Sequence, residues 1–172
     1  MKKLIFIGTL VITVSLIIGY LIFDDLKKSS EILFEDSVLN AAWGYKYYGY
    51  VICRDGSVYS FDISEQDLGT NIKDLKSQSK YILKNAKLQK KLEVSKPDLE
   101  KMIRYSKYID GSKVGEIKQR SWDLGSRTIK MYEYESGAII DLKETGDMEV
   151  ENTSQYAKEL VELIQKYTRN EE

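Results

Sequence analysis

Histidine is missing altogether from this chain of 172 residues. That absence excludes Ser-His-Asp triads, Cys-His dyads and His-containing zinc sites. Cysteine occurs once, as Cys53, so no internal disulfide can form, and its setting in a strand-like run reads as a small buried hydrophobe. Proline also occurs once, as Pro97. No D-x-D-x-D-G calcium loop is present. A large excess of either charge is lacking too: 26 Lys and Arg stand against 27 Asp and Glu, which argues against a nucleic-acid binder. Nothing in the chain implies a cofactor, a metal or a catalytic residue.

What the chain does have is a run of twenty residues without a charge, Leu4 to Phe23. As a helix it rises about 30 Å, the thickness of a bilayer's hydrocarbon core. The run is longer than the apolar region of a cleaved signal peptide, and no A-x-A pattern follows it. It predicts an uncleaved, single-pass signal anchor over residues 1–23. Lys2 and Lys3 precede the span and Asp24 and Asp25 follow it, which favours a cytoplasmic amino terminus and an extracytoplasmic remainder in the cell membrane. Residues 24–40 read as a juxtamembrane spacer, and 41–172 as one extracytoplasmic domain of ordinary size.

Within that domain two hairpins stand out. Tyr45 to Cys53 and Val58 to Ile63 alternate aromatic and β-branched residues around Asp55-Gly56, a tight-turn dipeptide. Tyr47, Val51 and Cys53 fall on one face, with Tyr48, Tyr50 and Ile52 on the other. Arg127 to Tyr134 and Ala138 to Lys143 form the second hairpin around Glu135-Ser136-Gly137. Lys73 to Leu92 has helical composition. A second helix opens at Ser95-Lys96-Pro97-Asp98, with Leu99, Met102, Ile103 and Ile109 inward and Gly111 as its stop. A third carries Ala157, Leu160, Val161 and Ile164 at i, i+3, i+4, i+7. Asn152 or Ser154 caps that helix, which accounts for the Asn152-Thr153-Ser154 sequon. The expected fold is α+β: an N-terminal transmembrane helix, then two β-hairpins in one antiparallel sheet packed against about three helices.

The segments Asp55-Gly56-Ser57-Val58-Tyr59, Ser95-Lys96-Pro97-Asp98-Leu99, and Gly146-Asp147 followed by Asn152-Thr153-Ser154 and Ala157 are spread over most of the domain. They are similar to those of uncharacterised membrane-anchored or lipoprotein-like extracytoplasmic proteins of low-GC Gram-positive bacteria. The resemblance implies a bacterial envelope protein and carries over no activity, cofactor or catalytic residue.

Charge is unevenly spread. Residues 73–118 hold 13 basic and 6 acidic side chains, and residues 131–172 hold 4 basic and 11 acidic. Trp43-Gly44-Tyr45-Lys46-Tyr47-Tyr48-Gly49-Tyr50 is the most unusual stretch, because aromatic rings on a strand face can stack on sugars or on a partner's side chains. The expected docking surface is therefore Trp43, Tyr48 and Tyr50, with Lys84, Lys87, Lys90 and Lys91 on basic helices able to meet anionic lipid or wall polymer. Against it stands the simpler fact that aromatics favour strands.

The expected function is a membrane-tethered, non-enzymatic binding module for an envelope protein or wall polymer. Its rival is an extracytoplasmic hydrolase using carboxylates or a Ser77-Lys80 pair. That pair matches S-x-x-K but lacks the S-D-N and K-T-G elements of its class. The acidic run Asp141, Glu144, Asp147, Glu149 and Glu151 reads as a solvated edge rather than a cation site.

Overall fold

A computed structural model describes residues 31–40, 46–63, 79, 81–83, 89–121, 125–133 and 136–169. The apolar run Leu4 to Phe23 lies outside these residues. Among the described ones no helix is long and apolar enough to cross a membrane.

The elements in chain order are β1 (Ile32–Asn40), β2 (Lys46–Cys53), β3 (Ser57–Ile63), β4 (Gln89–Glu93), α1 (Lys96–Ser106), β5 (Lys118–Gln119), β6 (Ser126–Glu133), β7 (Ala138–Gly146), β8 (Met148–Glu151) and α2 (Ala157–Thr168). Residues 79 and 81–83 are also helical. The strands make one sheet in the order β4-β3-β2-β1-β6-β7-β8-β5, antiparallel throughout. Two meanders, β1 to β4 and β6 to β8, are joined where β1 pairs with β6.

This corrects the expected two-hairpin sheet of four strands with two helices between, for eight strands form the sheet. The supposed spacer ends in β1, one of the two central strands of the sheet. Its alternation is hidden by a bulge between Ile32 and Phe34, which turns both Leu33 and Phe34 toward the helices, and by the acids Glu35 and Asp36 at its middle. Of the helix expected over Lys73 to Leu92, residues 79 and 81–83 are helical, while its last four residues, from Gln89, are strand β4, whose backbone pairs with β3; tertiary pairing overrides the helical preference of the lysines there. The acidic stretch after the second hairpin folds back as β8.

Other elements follow their local chemistry. Gly56, at φ +85°, takes the left-handed turn position that Asp55-Gly56 implied. The Ser95 hydroxyl accepts from the Asp98 amide at 3.4 Å and Pro97 sits in the first turn of α1. That helix ends at Ser106, short of Gly111, which instead packs on Ile140. In α2 the apolar stripe Ala157, Leu160, Val161 and Ile164 is buried as its spacing required. Its first turn is preceded by Tyr156 at φ +65° and not by a side-chain cap. Asn152 accepts from the Ser154 amide and donates to the Asp110 carbonyl, both at 2.9 Å, holding the loop before α2.

The sheet has a core on each side. On the helix side, Phe34, Ile52, Val58, Ile129, Met131, Ile140 and Leu142 pack against Met102 and Ile109 and the stripe of α2. On the opposite side, Ile32, Tyr47, Val51, Cys53, Phe61, Ile63 and Tyr132 pack with Ile82. Each fully buried aliphatic side chain contributes roughly 1.5–3 kcal/mol. Helix α1 runs from the β2–β3 turn, where Leu99 approaches Gly56, to the start of β1 and the end of β6, where Ile103 lines a cleft with Leu33, Phe34 and Met131. One end of the sheet therefore carries α1, the start of β1 and both hairpin turns. The other end carries Asn40, Lys46 and the pairs Leu39–Ser126 and Ser126–Gly146.

Candidate functional site

Two adjacent carboxylates of β1 point to opposite sides of the sheet, and both are buried. Glu35 lies on the side away from the helices with no exposed surface. Its Oε1 accepts hydroxyl bonds from Ser37 and, at 2.5 Å, from Tyr47, while Oε2 accepts from the Tyr132 hydroxyl. Lys130, on β6, reaches Oε1 at 3.3 Å. Lys130 also lies 5.7 Å from the centre of the Tyr47 ring.

Gly49 makes this approach possible. Opposite Ser37 in the ladder, it has no room for a side chain, since a Cβ there would fall 2.2 Å from the Asp36 carbonyl oxygen. The backbones of β1 and β2 can thus close together beneath the span from Tyr47 to Glu35.

On the rim of the cluster Asp141 pairs across the ladder with Lys130. Although partly open to solvent, its carboxyl is held above the usual carboxylate range, first by desolvation and then by the charges of Glu144 and Glu35, with Lys130 acting the other way.

Asp36 faces the helices. Arg127 grips it with two guanidinium nitrogens at 2.7 and 2.9 Å, and the Thr168 hydroxyl at the end of α2 donates to it at 2.6 Å. This planar two-point pairing fixes the arginine as well as the acid. Beyond α2 the helix side of the sheet presents a row across five strands: Asp62, Tyr48, Val38, Arg127 and Thr145, in register. Asp62 is exposed, the Tyr48 residue is 44 % exposed, and the Arg127 side chain keeps 32 % of its surface.

Of the sequence-predicted docking residues that are described, Tyr48 alone stands as an exposed ring. Tyr50 is half-buried against the helix-side core. Lys90 and Lys91 lie on strand β4 and not on a helix, with Lys90 opposite Tyr59; β3 separates them from Tyr48. Trp43, Lys84, Lys87, Ser77 and Lys80 lie outside the described residues. The acidic run is largely tied across strands. Glu144 accepts from Ser126, Glu151 pairs with Lys143, and Arg120 holds Glu149 below its ordinary pKa. Among the described residues no three acids or cysteines gather as a metal site would need. Cys53 is buried, and burial, helped by the charge of Asp55, pushes its thiol up to about 12, far from the low values of reactive thiols.

Sequence reasoning missed Glu35, Asp36 and Arg127. The signal available was an acid pair inside the run Ile32-Leu33-Phe34-Glu35-Asp36-Ser37-Val38, too apolar on either side for a solvated spacer.

No protein family matches the chain, and neither does any curated protein or solved structure.

Proposed function

We propose that the chain is a membrane-tethered, extracytoplasmic binding module without enzymatic activity. It docks an envelope protein or polymer through the end of the sheet remote from its tether. The run Leu4 to Phe23 is the tether, and Lys2 and Lys3 keep its start on the cytoplasmic side. The observation that carries the docking assignment is the row centred on Tyr48 and Arg127. Exposed tyrosine and arginine are the residue types that dominate binding energy at interfaces. Here the arginine is held in place from below by Asp36, so little of its freedom remains to be lost on docking. The buried carboxylates, by contrast, support the scaffold. Each is enclosed by its donors, and neither is presented to a substrate.

The test is a photo-crosslinking side chain at Tyr48 in intact cells, compared with one at exposed Ser136 in the hairpin at the other end. The expected result is a discrete adduct from position 48 that position 136 does not give. Identical adducts from both positions would remove the docking assignment. Cleavage of the domain by protease added to whole protoplasts checks the orientation, and protection would reverse it.

A further inference from the structure

We propose that the outer face of α1, from Lys101 to Lys107, rests on the anionic phospholipid headgroups of the membrane that holds the chain, an inference that depends on the tethered reading. Eight residues separate Phe23 from Ile32, so the chain there spans at most about 30 Å. It enters the sheet at the start of β1, the end that α1 covers. A strand of nine residues is itself about 30 Å long, so this end of the sheet is held within reach of the bilayer while the Tyr48 row lies further out.

The chemistry of that end suits an anionic surface. Lys101 and Arg104 on the last two turns of α1 and Lys107 just after it follow one another with no acid among them, and among the described residues none of the three is in an ion pair. Lys101 and Arg104 flank the Tyr105 ring at 5.4 and 5.8 Å from its centre, and that ring stacks on Tyr156. Both cations are thereby held on a firm aromatic base while Arg104 stays exposed.

Lys107 lines a cleft of about 330 Å³ with the apolar Leu33, Phe34, Ile103 and Met131, the acid Glu133, and Arg54, which is paired with Glu31 at 2.9 Å. A headgroup phosphate would sit at Lys107, with its glycerol over the apolar lining. Cations beside an anionic leaflet each add on the order of a fivefold preference for the surface-bound state, and added salt weakens it.

The full-length chain is reconstituted into vesicles of phosphatidylglycerol and phosphatidylcholine, or of phosphatidylcholine alone, each with a headgroup-attached quencher. A fluorophore is placed through Glu100→Cys on α1 or Tyr108→Cys just past its end, or through Asp62→Cys at the remote end. Native Cys53, buried and with its raised pKa, stays unlabelled.

Quenching is expected at positions 108 and 100 in the anionic vesicles and not at 62. It should fall steeply in phosphatidylcholine, in 1 M salt and in the Lys101→Gln, Arg104→Gln, Lys107→Gln triple variant. Equal quenching at 62 and 108, or quenching indifferent to lipid charge and to the triple variant, would overturn the inference. A chain that resists alkaline extraction yet leaves position 108 unquenched sinks this inference alone. A chain that alkali strips from the vesicles sinks the tether with it.

Discussion

Glu35 and Asp36 are neighbours in the chain, equally buried, and stabilised by opposite means. On the side away from the helices Glu35 is met mainly by hydroxyls, from Ser37, Tyr47 and Tyr132, with Lys130 at the longer distance of 3.3 Å. On the helix side Asp36 is met by a two-pronged guanidinium and one threonine. The first arrangement spreads one charge over several neutral dipoles contributed by three strands, with its one cation, Lys130, keeping 20 % of its side-chain surface. The second concentrates it on one arginine that keeps surface of its own. A buried acid can therefore serve as a tie within a sheet or as a mount for a working cation, and this protein has one of each, a single residue apart.

The largest effect expected is from Glu35→Ala, which strands three hydroxyls and an ammonium and should cost about 3–5 kcal/mol in urea unfolding. A cost under 1 kcal/mol would mean that the hydroxyl side is not a tie. Gly49→Ala should cost about 3 kcal/mol, since the new Cβ meets the Asp36 backbone oxygen on the strand that carries both acids; wild-type stability in this variant would refute the close packing of β1 and β2.

Asp36→Asn should cost about 2 kcal/mol and, unlike any change at Glu35, should loosen Arg127 and weaken the crosslink from position 48. Tyr132→Phe removes one of several donors to Glu35 and should cost only about 1 kcal/mol, with the crosslink unchanged.

The smallest effect concerns an acid near the surface. Lys166 foremost, then Tyr167, hold the Asp98 carboxyl down at about 2, below its ordinary 3.8. Because the folded value is the lower one, the stabilisation is complete above about pH 4 and is lost as pH falls toward 2. Asp98→Asn should flatten that part of the stability curve by lowering the plateau above pH 4 toward the value at pH 2, a small loss because the pair is near the surface.

How much of this was legible depended on distance along the chain. The cap Ser95-Lys96-Pro97-Asp98, the turn Asp55-Gly56 and the stripe of α2 are local statements, and the structure repeats them. The faces of β2 were legible too, with Tyr47, Val51 and Cys53 on one side and Ile52 on the other. Strand β1 was not, because a bulge breaks its period and its two acids look like solvent-facing residues until their partners are known. Those partners, Arg127, Lys130 and Tyr132, lie more than ninety residues away, and no local pattern announces them. Lys90 and Lys91 failed for the converse reason: a composition that favours helix was overruled by pairing with β3. Tyr48 and Tyr50 share a face, and only the extent of the helix-side core across it decides that one ring is covered and the other left out.

The junction between the two meanders also has a consequence in time. During synthesis β1 can find β2 at once, but its other edge stays bare until β6 is made; Glu35 and Tyr132 are 97 residues apart. At ordinary rates of about 5–20 residues per second, that edge waits on the order of 5–20 s, long enough for an open strand to recruit a stranger. The first half of the chain is thus the hazardous half to release early, and a ribosome that stalls between β4 and β6 would leave a sticky half-sheet on the nascent chain.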